Sequence, residues 1–175
     1  FLEVIGRQSA RMERLVAELL RLARLDARQE ALDLTRCDMR QVFSAVVADL
    51  QPSIDAKRQE VAIDVPEDAR DVRADAAKLH DVVRNLVENA VNYSPEGAHI
   101  RLASVCDGDR FRFVVADSGG GIPPADLSRV FERFYRVDKS RARPGGTGLG
   151  LAIVKHLVEL HSGGGTAASR PEEGA

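Results

Sequence analysis

Asn85 and Asn89 stand four residues apart in an amphipathic stretch, Asp117-Ser-Gly-Gly-Gly-Ile122 follows an apolar run, and Gly145-Gly-Thr-Gly-Leu-Gly-Leu151 leads into a second periodic stretch. Each segment has a chemistry. A carboxylate such as Asp117 accepts a hydrogen bond from an amine, side-chain amides offer oxygen to a cation, and glycines let backbone N–H groups close on an anion at a helix start. In this order they describe a pocket for ATP, with Asp117 on the adenine amine, the asparagines at a metal and residues 145–151 on the phosphates.

Each segment also has a plainer reading. At 100° per residue Leu79, Val82, Val83, Leu86, Val87, Ala90 and Val91 cover one helix face, and Asp81, Asn85, Glu88, Asn89 and Asn92 the opposite one. A solvated face would explain any such stripe. Asparagine, however, costs roughly half a kcal/mol in a helix relative to alanine, and three on one stripe point to a ligand. An aspartate before glycine is often a turn former, but Gly119, Gly120 and Gly121 in succession suit a place where something must come close. The stretch 145–151 runs into a helix over 149–161, whose first-turn amides would point at whatever sits above them.

Other nucleotide motifs are absent. There is no Gly-x4-Gly-Lys-Ser/Thr, no Gly-x-Gly-x-x-Gly between strand and helix, and no His-Arg-Asp or Asp-Phe-Gly. His156 and His161 are five apart and share no helix face, and His80 and His99 read as structural or solvated.

The elements that must position these residues follow from hydropathy. Residues 1–28 contain no proline, and Leu2, Ile5, Met12, Leu15, Leu19 and Leu22 form a helix seam that would lie on its own domain or, the favoured reading, face a partner. The polar stretch 26–33 predicts a hinge near residue 30. A helix follows over 39–55, which Pro52 would kink or end. Residues 61–65 alternate like a strand closed by Pro66, and Asp75 caps a helix reaching Tyr93. Strands over 100–105 and 111–116, the second buried on both faces, are joined by the hairpin signal Asp107-Gly108-Asp109. Pro123-Pro124 opens a short helix through Leu127, and residues 133–146 read as a mobile basic loop.

With 175 residues, 44% of them hydrophobic, the chain can bury one core and carry a smaller appendage. Its 25 Lys and Arg against 27 Asp and Glu leave a net charge of −2, no footprint for nucleic acid or an anionic membrane. Cys37 and Cys106 have no pairing motif, which suits a reducing cytosol. No apolar run reaches the roughly 20 residues of a membrane helix, so a cytoplasmic piece is expected, whose parent protein could still be membrane-bound.

Asn85-Leu-Val-Glu-Asn89-Ala-Val-Asn-Tyr93-Ser-Pro resembles the N box of bacterial two-component sensor histidine kinases. Asp117-Ser-Gly-Gly-Gly-Ile122 resembles their first glycine box, Phe131-Glu-Arg-Phe-Tyr-Arg136 their F box, and Gly146-Thr-Gly-Leu-Gly-Leu151 their second glycine box. Residues 1–28 are similar to the second helix of the dimerisation and phosphotransfer hairpin. The runs 89–97 and 135–141 look closest to the phosphate-regulon sensor subgroup.

The resemblance implies an α+β fold: a two-layer α/β sandwich of the Bergerat type, shared with gyrase, Hsp90 and MutL ATPases. Its mixed sheet carries helices on one face and follows one long hairpin helix. The domains would be 1–30 for the hairpin helix and 31–175 for the ATP-binding catalytic domain, with the last strand missing. The implied cofactors are ATP and Mg2+. Asp117 would bind the adenine amine, Asn89 and Asn85 would hold magnesium, and Tyr93 would pack beside the nucleotide. Gly119, Gly121 and Ile122 would complete the base side. Tyr135, Arg136 and Arg143 would belong to a lid, and Gly146, Thr147, Gly148, Leu149 and Gly150 to the phosphate side. Asn92 replaces a lysine common in relatives, and Glu88 and Arg136 are the implied catalytic residues.

The implied partners are ATP or ADP, a response-regulator receiver domain, and a second copy through the N-terminal helix of the full-length protein. The family's acceptor histidine belongs to a His-Glu-Leu-Arg-Thr-Pro type motif, and none precedes Phe1, so self-phosphorylation at that site is not expected. Two other readings stand beside this one. One is a degenerate nucleotide-binding module that signals by conformation; the other is a gyrase-like or Hsp90-like ATPase domain.

Overall fold

Gly108 takes φ 58° and turns the chain between two strands, β4 (His99–Asp107) and β5 (Arg110–Asp117), which pair antiparallel with Asp107 opposite Arg110. This hairpin is the backbone of a computed structural model that describes residues 2–26, 30–137 and 146–169. Before it come α1 (Leu2–Asp26), β1 (Leu34–Asp38), α2 (Met39–Ala56), β2 (Glu60–Asp64), β3 (Asp71–Asp75) and α3 (Ala76–Tyr93). After it come α4 (Pro124–Leu127) and α5 (Gly150–Leu160). The main sheet has the order β2-β4-β5, and β2 runs parallel to β4 with Val61 opposite Ile100, so the sheet is mixed as expected.

Helices cover one face of it. Phe43, Val46, Leu50 and Ile54 of α2 and Val83, Val87 and Val91 of α3 bury against Ile100 and Leu102 of β4. Phe43 meets Phe113 edge-on, with ring centroids 6.3 Å apart. Full burial of such side chains stabilises by about 1.5–3 kcal/mol each, which makes this layer the main source of cohesion. β5 is not buried on both faces. Phe111, Phe113 and Val115 pack on the core while Val114 is 42% exposed, because no helix covers the other side.

A second sheet was not legible in the hydropathy. β1 and β3 form a two-stranded antiparallel ribbon in which Cys37 faces Val72. Leu-Thr-Arg-Cys-Asp and Asp-Val-Arg-Ala-Asp are short and carry only two apolar residues each, and the ribbon is held partly by the Arg36–Asp71 ion pair. Pro52 does not end α2. The helix continues to Ala56, because Pro52 and Ala48, whose carbonyl loses its partner, are both exposed while Leu50 and Ile54 stay buried.

The two strands of the ribbon feed helix caps. Asp38 accepts from Arg40 N at 2.9 Å and Gln41 N at 3.2 Å to start α2, and a hydrogen bond from Arg70 holds its carboxyl below the ordinary value. Asp75 accepts from Lys78 N at 3.1 Å to start α3. Its carboxyl also takes Asp33 N at 3.1 Å and Lys78 Nζ at 2.9 Å. Lys78 Nζ further donates to Ala31 O at 3.2 Å, so residues 31 and 33, expected in a hinge, are tied to the start of α3.

α1 divides in two. Its C-terminal end lies on the domain: Leu22 and Leu25 bury with Val82 of α3 and Ile153, Val154 and Leu157 of α5, and Arg21 pairs with Asp81. Leu22 therefore belongs to an internal core and not to a partner-facing seam. Met12, Val16 and Leu20, further back, are exposed. Among the described residues no helix is long and apolar enough to cross a membrane, and Cys37 and Cys106 are free thiols.

Candidate nucleotide site

α3 is the spine of the site. Near its middle, Asn85 Nδ2 donates to Asp81 O at 2.8 Å, and this turns Oδ1 towards Gly150: a Cβ at residue 150 would lie 2.9 Å from it. At its end, a Cβ at Gly146 would lie 3.5 Å from Tyr93 Oη and 3.7 Å from Arg136 Nη2. One residue later, Ser94 Oγ donates to Asp117 Oδ1 at 2.9 Å. The same helix thus touches both ends of the second glycine segment and the carboxylate of the first. Glu88 and Asn89 are half-buried between these contacts, and among the described residues neither side chain has a hydrogen-bond partner. Asn92 is exposed, and its carbonyl accepts from Lys57 Nζ at 2.9 Å.

Asp117 ends β5 opposite Ile100, and Ser118 N still donates to His99 O at 3.0 Å before the chain turns. Gly119 N donates to Oδ1 at 2.8 Å, and a Cβ at residue 119 would fall 2.5 Å from that oxygen. A side chain there would displace the Asp117 carboxylate from its place. Gly121 takes φ 70°, while Gly120 has open space around it. Ile122 N donates to Ser169 Oγ at 2.7 Å, which ties the loop to the segment after α5.

On the phosphate side, Gly148 takes φ 73° with its carbonyl accepting from Phe134 N at 2.9 Å, and a Cβ there would meet Phe134 C at 2.9 Å. The F box and the second glycine box therefore interlock through backbone. α5 begins at Gly150 with no side-chain cap, so its first-turn N–H groups lack protein acceptors on that helix. Leu149 is fully buried in the α1–α5 core, which leaves only its backbone to the site, and its N donates to Thr147 Oγ1 at 3.3 Å. Thr147 Oγ1 in turn donates to Glu18 of α1 at 2.5 Å. Arg136 Nη1 donates to Gly146 O at 2.9 Å, and among the described residues its buried Nε has no partner.

Two lid expectations have different outcomes. Tyr135 donates its hydroxyl to Asp126, and Arg129 lies 4.2 Å above its ring, so that side chain is engaged with the α4 region. The hydrogen bond to Asp126 is the largest of the effects that hold the phenol above its ordinary pKa. Arg143 lies outside the described residues.

A nucleotide with its cation fits this arrangement. Gly119 and Gly150 let backbone come into contact with the oxygens of Asp117 and Asn85, and among the described residues the buried Arg136 Nε is a donor without an acceptor. The asparagine and glutamate oxygens on α3 are the hard donors that magnesium prefers. Among the described residues no group of three or more His, Cys, Asp or Glu could hold a metal, so magnesium here would rely on the asparagine oxygens together with water or phosphate.

Residues 74–175 match the family described as histidine kinase-, DNA gyrase B- and HSP90-like ATPase. The chain belongs to this ATPase family. It is 38% identical over 176 residues to the sensor-like histidine kinase SenX3 of Mycolicibacterium smegmatis, across 100% of this chain and 46% of that protein. It is 35% identical over 175 residues to the phosphate regulon sensor protein PhoR of Pseudomonas aeruginosa, across 99% of this chain and 39% of PhoR. The structure of full-length ShkA in complex with AMPPNP matches with a TM-score of 0.77 at 31% identity, over 97% of this chain and 38% of ShkA. The chain thus spans less than half the length of these proteins. The α+β expectation and the family resemblance are borne out, and the chain carries the ATPase-type catalytic module of sensor histidine kinases.

Three residues around the ATPase site were not singled out from the sequence. Ser94 lies inside the N-box run, so its position was visible but its bond to Asp117 was not. Glu18 and Ser169 reach Thr147 and Ile122 from 129 and 47 residues away, and no local pattern announces such contacts.

Proposed function

We propose that this chain is the ATP-binding catalytic module of a bacterial sensor histidine kinase. It would bind Mg-ATP and present the γ-phosphoryl to a histidine on a hairpin helix outside this sequence, from which it passes to a response-regulator receiver domain. The single observation that carries the reading is the way α3 contacts Gly150 through Asn85 and Asp117 through Ser94, which brings a base-side acid and a phosphate-side helix start to one surface.

The geometry supports the following roles. Asp117 accepts the exocyclic amine of adenine, and Tyr93 lies along the nucleotide beside Gly146. The first-turn amides of α5 and the guanidinium of Arg136 take the phosphates. Asn85, Asn89 and Glu88 supply oxygen to the cation side. Magnesium, when bound, neutralises charge on the transferring group. The chain's contribution is positioning, since a phosphoryl group needs alignment and charge stabilisation more than protein-borne covalent chemistry.

Residues 1–30 act as the hairpin helix and 31–175 as the catalytic domain, in a parent protein held at the inner membrane. The exposed Met12, Val16 and Leu20 support pairing of α1 with a second copy in the full-length protein. A degenerate module that signals by conformation would share the pocket but not the transfer. The discriminating experiment supplies a separate hairpin bearing the acceptor histidine, together with labelled ATP. The expected result is acid-labile label on the hairpin that disappears with Asn89→Ala while nucleotide binding survives; binding without any transfer by the unmodified chain favours the degenerate module.

A further inference from the structure

Ser94 is 2% exposed and its backbone is held from both directions. Its N–H donates to Ala90 O at 3.0 Å, closing α3. Its carbonyl accepts from Lys57 Nζ at 2.7 Å and Gln59 Nε2 at 3.2 Å, both from the segment between α2 and β2. Gln59 also donates to Pro95 O at 3.0 Å, so residues 94 and 95 are fastened together. From this fixed backbone the hydroxyl donates to Asp117 Oδ1 at 2.9 Å.

Gly119 N reaches that same oxygen at 2.8 Å. A carboxylate oxygen offers two acceptor positions, and here both are filled. The carboxylate plane is thereby set, and Oδ2 is the oxygen without a donor among the described residues. A carboxylate held by one donor can rotate about its last bond; held by two on one oxygen, it presents the other at a defined angle.

We infer that Ser94 is a positioning residue for base selection: it orients Asp117 so that Oδ2 accepts the exocyclic amine of the bound purine, and Lys57 and Gln59 hold Ser94 in place. The inference rests on the reading of Asp117 as the adenine acceptor. A buried serine that merely satisfies its own hydroxyl would show the same bond, so the test must separate orientation from stability.

The experiment compares ATP with purine riboside triphosphate, the same nucleotide without the 6-amino group, each with magnesium, by displacement of a fluorescent analogue. In the unmodified chain ATP should bind more tightly. Ser94→Ala should lower ATP affinity about five- to tenfold, the size of one typical lost hydrogen bond, and leave the deaminated nucleotide within about twofold. Ser94→Thr, which keeps the hydroxyl, should restore the preference. Equal losses for both nucleotides, or no loss for either, would overturn the inference and leave Ser94 a packing residue. Should Ser94→Ala fail to fold, Ser94→Cys keeps the volume and weakens the donor, and the same narrowing of the ratio is required of it. Equal binding of the two nucleotides by the unmodified chain, or an intact preference in Asp117→Asn, would instead refute the Asp117 assignment itself.

Discussion

Asn85 and Gly150 are in contact: the amide oxygen of the one lies 2.9 Å from where a side chain on the other would begin. The helix that carries the polar stripe and the helix that offers free amides are therefore locked at one point. Their separation leaves no space for a methyl group unless Asn85 moves.

Gly150→Ala should accordingly separate binding from stability. Asn85 is a side-chain end and can shift, and alanine is the better helix former, so unfolding free energy should change by less than about 1 kcal/mol. Mg-ATP affinity should fall about fivefold or more as Asn85 leaves its place. Thermal denaturation and titration of the same sample check both halves.

Gly148→Ala should behave in the opposite way. Its φ of 73° and the backbone of Phe134 at 2.9 Å give no flexible neighbour to yield. A non-glycine residue in the left-handed region costs about 1–2 kcal/mol before the clash is added. Denaturant unfolding should therefore show a loss of more than about 1 kcal/mol with or without nucleotide.

The difference between those two glycines bounds what the sequence could reveal. The second glycine box was visible as a pattern, yet which glycine answers to a backbone and which to a side chain depends on Phe134 and Asn85, far away in the chain. The α3 stripe, β4, β5 and α5 were legible because their apolar periods are regular. β1 and β3 were not, because five-residue strands with only two apolar residues each are too short and too polar to stand out. The end of α1 was misplaced for a related reason. Leu22 continues the spacing of Met12 and Leu19, and nothing local distinguishes a leucine that faces a partner from one that faces α5.

Leu22→Ala tests that docking. A leucine 2% exposed and packed on α5 should cost about 2–5 kcal/mol on truncation, whereas Leu20→Ala, at 56% exposure, should cost far less in the isolated chain. Equal and small losses in equilibrium unfolding would mean that α1 does not rest on the domain in solution.

Asp75 gives a pH dependence with a definite sign. Burial opposes its charge, but the N–H and ammonium of Lys78 and the N–H of Asp33 outweigh burial and lower its pKa from 3.8 to about 2. A carboxyl depressed on folding contributes stability that is complete above its unfolded value and lost as pH falls towards the folded one. The thermal midpoint should therefore drop between about pH 4 and pH 2. Asp75→Asn should be less stable than the unmodified chain near neutral pH, and that gap should close across the same interval.

Calorimetric titration of the chain with Mg-ATP and with Mg-GTP bears most directly on the nucleotide site. ATP should bind with a dissociation constant between micromolar and millimolar, roughly −8 to −4 kcal/mol. GTP, which presents a carbonyl where adenine has its amine, should bind more weakly, and Asp117→Asn should weaken ATP by about 1–3 kcal/mol. No heat with ATP and no displacement of a fluorescent analogue, or equal affinities for ATP and GTP in the unmodified chain, would contradict the assignment of Asp117 and with it the proposed site.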